Sequence, residues 1–276
     1  MIETLLLFAC PFVSCLVLGA MLGYLGLHVI KREVIFIDMA VAQFAAVGAI
    51  AAHMTLHVHG DSLEALAAAW GVTVCAGIFY AVVRRYAADF PLEAVIGISY
   101  AAAAAGALML IGKGSSGHTH IQEMLTGSLL WVSWGDLGWS ILVFAAVAVL
   151  FVVWRQPLQH ISDDYQAAVE SGRKVVLWDI LFYAMCGLVI TVAVRLAGVV
   201  VVFCFLIIPA TAASMVMASW RGRLLLAIIF SALASFCGLL FCQWQDFSAG
   251  VSVAFFLGIF LVLLWFIVGR RKGIVC

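Results

Sequence analysis

The sequence predicts an all-α, polytopic membrane helical bundle of about nine transmembrane spans. Three observations predict it. The 276 residues are 66% hydrophobic and only 10% charged, where a soluble domain is about 45–50% apolar and about 25% charged. Mean hydropathy is +1.20, and the apolar residues run on without the ten-residue alternation of a β-barrel. The basic residues, finally, concentrate in alternate connecting loops. A soluble globular enzyme and a disordered chain are both excluded. Nine runs of about 20 residues leave only short loops, so 1–276 reads as a single transmembrane domain.

The spans fall at roughly 4–30, 34–54, 63–83, 92–111, 136–154, 175–195, 199–218, 223–243 and 247–268. The first has no basic n-region and no small-residue cleavage site, so it is expected to be a span and not a removable signal. Its Gly19 and Gly23 make a GxxxG, a pattern for close helix packing. The second contains Asp38. An acid inside an apolar run is costly and is by default a functional candidate. It also sits about one turn above Lys31-Arg32-Glu33, so an interfacial ion pair stands beside the functional reading. The fourth span carries a continuous small run from Ala101 to Gly106. The stretch 121–134 is apolar but short, and reads as an interfacial or re-entrant helix. The sixth span holds Asp179 one turn in, where a structural ion pair is expected, and Arg195 at its far end, where snorkelling explains it. The seventh contains Pro209, a natural hinge within a helix. Cys10, Cys15, Cys75, Cys186, Cys204, Cys237 and Cys242 lie in or at the ends of apolar runs, Cys276 is terminal, and no CxxC occurs. They read as small apolar packing residues.

Charge placement orients the bundle. Twelve of the fourteen basic residues fall in one set of alternate loops, and only Lys113 and Arg195 fall in the other. By the positive-inside rule this puts the N-terminus outside and the C-terminus in the cytoplasm, with an odd number of spans. A net charge of zero gives no basis for a nucleic-acid partner. Five of the seven histidines, His53, His57, His59, His118 and His120, then face outward. Imidazole suits zinc, copper, nickel and iron, and His53 and His57 share a helix face if the helix continues that far. The spacing matches no closed structural zinc site, so metal contact and ordinary solvated histidines both stand. Ile111 to Ser116 has the composition of a phosphate loop without its spacing, and no Walker motif is present. The chain therefore supplies no ATP hydrolysis of its own.

The longest cytoplasmic loop runs from Arg155 to Lys174. Ser162 or Asp163 is placed to cap a short helix whose acidic residues suit its N-terminus, and Gly172 to end it. A short amphipathic helix between two spans is a docking handle for a partner.

Here a family resemblance becomes visible. Asp164-Tyr-Gln-Ala-Ala-Val-Glu-Ser-Gly172, followed by Val194-Arg-Leu-Ala-Gly-Val-Val-Val-Val-Phe-Cys-Phe-Leu-Ile-Ile-Pro-Ala-Thr-Ala-Ala213, resembles the permease subunit of zinc/manganese/iron ABC importers. Glu93-Ala-Val-Ile-Gly-Ile98 and Leu125-Thr-Gly-Ser-Leu-Leu-Trp-Val-Ser133 resemble further stretches of that family. The resemblance implies a multi-pass protein of the bacterial inner membrane. A second, identical permease chain would share its pathway, an extracytoplasmic metal-binding protein would deliver the ion, and two cytoplasmic ABC ATPases would drive alternating access. It implies no covalently bound cofactor, with divalent zinc, manganese or iron as the transported substrate. ATPase coupling falls on Asp164, Ala168, Glu170 and Gly172. The family carries Gly-Asp-Ala-Leu-Ser-His in its second span. Aligning on Gly48 puts Met39 at the Asp position and Gln43 at the His position, with Asp38 displaced by about 100° around the helix. Asp38, Met39 and Gln43 are thus the pathway candidates. Thioether and amide bind a hard or borderline divalent ion weakly. This keeps open a same-fold permease for a metal complex or other small solute. An intramembrane metal-dependent hydrolase built on the histidines is the alternative of another class.

Overall fold

The computed structural model describes residues 2–56, 62–86, 90–111, 129–171 and 174–271. Among them, nine helices are long and apolar enough to cross a membrane. They are α1 (Ile2–Lys31), α2 (Ile37–Leu56), α3 (Leu63–Tyr86), α4 (Leu92–Ile111), α5 (Trp134–Val153), α8 (Val175–Ala197), α9 (Val199–Val216), α10 (Trp220–Gln245) and α11 (Ala249–Arg271). Two short helices, α6 (Arg155–Asp163) and α7 (Tyr165–Glu170), lie between α5 and α8. The observed ends differ from the expected ones by at most three residues. Of the stretch 121–134, residues 121–128 lie outside the described region, and 129–131 form a single 3-10 turn. α5 begins two residues early because Ser133 caps it: Asp136 N–H donates to Ser133 Oγ at 3.1 Å, the usual role of a serine at that position.

The chain divides into two units. The first comprises Met1–Ile30, Glu123–Phe144 and Ala193–Cys276. Within it α1 packs backbone-close through glycines. A Cβ on Gly19 would stand 2.6 Å from Ser231 Cβ, and one on Gly26 would stand 1.8 Å from the Leu206 carbonyl oxygen. Lipid is as apolar as leucine, so such close approach, more than hydrophobic burial, is what holds spans together. The expected role of Gly19 and Gly23 is met, Gly23 facing Ala227. α9, α10 and α11 pack on one another. Gly198, with φ at +83°, makes the one-residue break between α8 and α9, a conformation open to glycine at no steric cost.

The second unit comprises Lys31–Gln122 and Ala145–Val192. α2 packs on α3 and α4, and a Cβ on Gly48 would stand 2.7 Å from the Ala68 carbonyl oxygen. α3 and α8 interlock reciprocally, Gly77 against Tyr183 and Gly187 against Thr73. Tyr80, fully buried on α3, shares a 2.5 Å hydrogen bond with Ser99 of α4.

Candidate functional site

α2 carries the three pathway candidates on two different faces. Its buried face is Ile37, Asp38, Ala40, Val41, Ala42, Ala45, Ala46, Gly48 and Ala52, small residues that let neighbouring helices approach. Asp38 sits in that face, 1% exposed. Neither of its carboxylate oxygens has a hydrogen-bond partner among the described residues. Burying a carboxylate in this way is costly unless it is protonated or paired, and the backbone N–H groups of Met39 and Asp38 that face it offset that cost only in part. Met39 and Gln43, one turn apart, lie on a separate half-buried ridge. The structure therefore keeps the thioether–amide pair on one ridge and the carboxylate beside it.

The ion pair expected between Asp38 and its neighbouring basic cluster does not form. Lys31 pairs with Asp163, and Arg32 donates through Nη1 to Asp179. Both partners come from far along the chain, 132 and 147 residues away. Asp179, fully buried in the first turns of α8, also accepts from Arg84 Nη1 at 3.3 and 3.4 Å. The structural ion pair expected of Asp179 is thus present, with two arginines instead of one. Arg32 Nε donates to Ser162 Oγ at 2.8 Å, and its guanidinium lies 3.9 Å from the centre of the Phe182 ring. The Arg84 guanidinium lies 4.1 Å from the centre of the Tyr165 ring, a cation–π geometry. Burial pushes the Tyr165 phenol above its usual range, as does the Asp179 charge, while Arg84, Arg85 and Arg32 oppose the shift. The phenol is neutral at physiological pH. Sequence reasoning missed Arg32, Arg84, Ser162 and Tyr165 as one group. The only signal was a shared side of the bundle: Arg32 and Arg84 lie at the basic ends of spans, and Ser162 and Tyr165 lie in the segment that joins two further spans there.

The loop from Arg155 forms two helices, where one was expected. Asp164 is extended, with φ −149° and ψ 100°, and caps α7 by accepting from Ala167 N–H at 3.0 Å. Ser162 and Asp163, the expected caps, end α6 instead. Ser162 donates to the Leu158 carbonyl and accepts from Arg32, and Asp163 pairs with Lys31, so neither is left to cap. Leu158, Ile161 and Ala168 are buried, and Ile161 and Ala168 pack with Val175 of α8. Asp164, Gln166 and Glu170 are exposed. Gly172 lies outside the described residues. α7 closes at Glu170, with Ser171 N–H donating to the Ala167 carbonyl at 3.0 Å.

His53 is exposed in the last turn of α2. His57, His59, His118 and His120 lie outside the described residues. Among the described residues, no three His, Cys, Asp or Glu side chains cluster as a metal site. α9 runs through Pro209 as continuous helix, although proline lacks the N–H that would bond the carbonyl four residues back.

Comparison with known proteins agrees with this fold. A model of the ABC 3 transport family matches residues 6–267. A manganese transport system membrane protein, MntC of Halalkalibacterium halodurans, is 24% identical over 254 residues, covering 92% of this chain and 84% of that protein. The manganese import system permease protein ScaB of Streptococcus gordonii is 26% identical over 184 residues, 65% of this chain and 64% of that protein. Among solved structures, PsaBC from Streptococcus pneumoniae in complex with Fab superposes with a TM-score of 0.80 at 22% identity, covering 96% of this chain and 93% of that one.

Proposed function

Since the chain belongs to the ABC 3 transport family, we propose that it is the membrane-spanning subunit of an ATP-driven importer for a divalent metal ion, manganese, iron or zinc. The names of its relatives, two of them manganese systems, support a metal as cargo. In this reading a cytoplasmic ABC ATPase hydrolyses ATP, an extracytoplasmic binding protein delivers the ion, and a second copy of the chain completes the pathway. The N-terminus lies outside and the C-terminus in the cytoplasm of a bacterial inner membrane, an assignment supported by the twelve-to-two distribution of basic residues.

The observation that carries the reading is the α6–α7 pair. It is anchored by Leu158, Ile161 and Ala168 and shows Asp164, Gln166 and Glu170 outward, on the side where the basic residues gather. Such a short, capped, half-buried pair is suited to seat in a partner's surface groove and to be pushed by it. The ion would meet α2. Met39 and Gln43 offer sulfur and amide on the half-buried ridge. Asp38 supplies the one carboxylate in the first turn of that helix, and Pro209 is the hinge candidate in α9. Alternating exposure of α2 to the two sides then moves the ion, with no covalent step in this chain. The neutral Met39–Gln43 ridge also favours a second reading, in which the cargo is a metal complex and not the bare ion, because neither donor competes well for a hard dication.

Glu170→Arg tests the coupling role. The charge reversal on an exposed position is expected to release the ATPase from the permease, or to uncouple it, while the permease remains inserted. Full ATPase association together with full transport would remove α7 from the interface.

A further inference from the structure

We propose that Asp179, held between Arg32 and Arg84, is the positioning residue that makes the α6–α7 pair and the entry to α2 one mechanical body, so that a push on α6–α7 is delivered to Asp38. The inference rests on the reading of α6–α7 as the ATPase-coupling segment, and deepens it by naming the link.

The polar ties from α6–α7 to the rest of its unit converge on one place. Arg32 reaches α6 through Ser162 and reaches α8 through Asp179. Arg84, near the end of α3, lies on the Tyr165 ring at the start of α7 and donates to the same Asp179. Lys31, next to Arg32, holds Asp163 at the end of α6. Asp179 is therefore bonded to both arginines that grip the coupling pair. The Ile161, Ala168 and Val175 cluster closes the apolar side. Such a segment cannot shift without carrying Arg32 and Arg84 along.

The connection onward to α2 is short and pinned. Only five residues separate Arg32 from Asp38. Within them Val34 and Ile37 are fully buried, and Ile35 N–H donates to Glu93 Oε1 of α4 at 3.1 Å. Three of the five linking residues are thus held, so a displacement of Arg32 is carried on toward Asp38.

The choice of residues supports a positioning role over a merely stabilising one. Buried ion pairs contribute little net stability against apolar side chains of similar size, and their best-attested use is to fix a unique geometry. Here a single buried carboxylate holds two buried guanidinium groups, one of them fully buried and the other 12% exposed. An apolar contact could slide. A carboxylate shared by two directional donors fixes the register of three elements at once.

The test uses the complete permease–ATPase complex in proteoliposomes with the binding protein and manganese. Asp179→Asn is expected to keep the ATPase bound and its basal ATP hydrolysis unchanged. Manganese-stimulated hydrolysis and uptake should fall about tenfold, in the ordinary range of coupling between sites. Asp179→Glu, which retains the carboxylate, should restore most of the stimulation. A purely structural residue would instead lower basal and stimulated hydrolysis together, through loss of folded permease. A second measurement does not depend on how the Asp179 variants fold. Ala168→Cys with Val175→Cys, in a chain without other cysteines, is joined by a short reducible bis-thiol reagent. If α7 and α8 move as one body, the joined complex transports as well as the unjoined one. Full stimulation in Asp179→Asn, or uptake lost on joining and regained on reduction, would overturn the proposal. A wild-type complex with no response to manganese, zinc or iron, each offered in turn, would sink the importer reading, and the inference with it.

Discussion

Gly26 is where α1 and α9 touch backbone to backbone, and replacing it with alanine has a cost that follows from the distances. The added Cβ would stand 1.8 Å from the Leu206 carbonyl oxygen and 2.9 Å from Ala210 Cβ, where ordinary contact begins at 3.4 Å. The obstacle is backbone, so no rotamer change relieves it. α1 would have to move off α9 by roughly 1.6 Å at this point. That gap opens contacts of Leu22 and Leu25, both fully buried on the same helix, and a gap of an ångström already forfeits a large part of the dispersion attraction. Overpacking typically costs 1–3 kcal/mol, and a rigid obstacle belongs at the top of that range, about 3 kcal/mol. At about 2–4 °C per kcal/mol for a chain near this size, the melting midpoint should fall by roughly 6–12 °C. The purified protein is melted in detergent with a thiol-reactive dye, which reports the buried Cys15 and Cys186 as they become accessible. Gly97→Ala is the control. Its Cβ would meet nothing within 4 Å, so it should melt at or slightly above the wild-type midpoint, alanine being the better helix former. Equal midpoints for the two variants would refute the packing argument.

Gly198→Ala places a side chain at φ +83° and ψ 160°, a region essentially restricted to glycine, and should cost about 1–3 kcal/mol, seen as a lower midpoint in the same melt. Asp38→Asn should cut manganese uptake while the permease still assembles with its ATPase, and Met39→Asp with Gln43→His should raise affinity for divalent metal. Radioactive manganese uptake into proteoliposomes reads the first and calorimetric titration of manganese and zinc into the reconstituted complex reads the second, and unchanged affinity and uptake in all variants would take α2 out of the pathway. Single cysteines at Leu56 and Gln166, in a chain without others, should be labelled from outside intact cells at position 56 only. Labelling at position 166 alone would invert the topology.

The spans were legible because bilayer thickness dictates their length: an apolar run near 20 residues has few other uses, and both ends of all nine agree to within three residues. Gly19 and Gly23 announced close packing by their spacing, but their partners Ser231 and Ala227 lie too far along the chain for any local pattern to indicate. The same distance hid the ion-pair network. Lys31 and Arg32 looked like partners for Asp38, their neighbour in sequence, whereas tertiary packing gave them to Asp163 and Asp179. This leaves Asp38 buried without a hydrogen bond. The cap of α7 was one or two residues off for a related reason. Ser162, Asp163 and Asp164 all have capping side chains, and only the prior engagement of the first two by Arg32 and Lys31 leaves the third to serve. The outward histidines were the other candidate metal contacts. Only His53 among them lies within the described residues, so the pathway argument rests on α2.

ATP-dependent manganese accumulation is the measurement that tests the central claim most directly. The chain is reconstituted with its ATPase and binding protein in vesicles carrying ATP on the ATPase side, and radioactive manganese, zinc and iron are offered in parallel on the other. The account predicts accumulation of at least one of these ions above its external concentration. That accumulation should depend on ATP hydrolysis and be abolished when the binding protein is left out. Absence of ATP-driven accumulation of all three, in a complex whose ATPase is stimulated by some other solute, would contradict it.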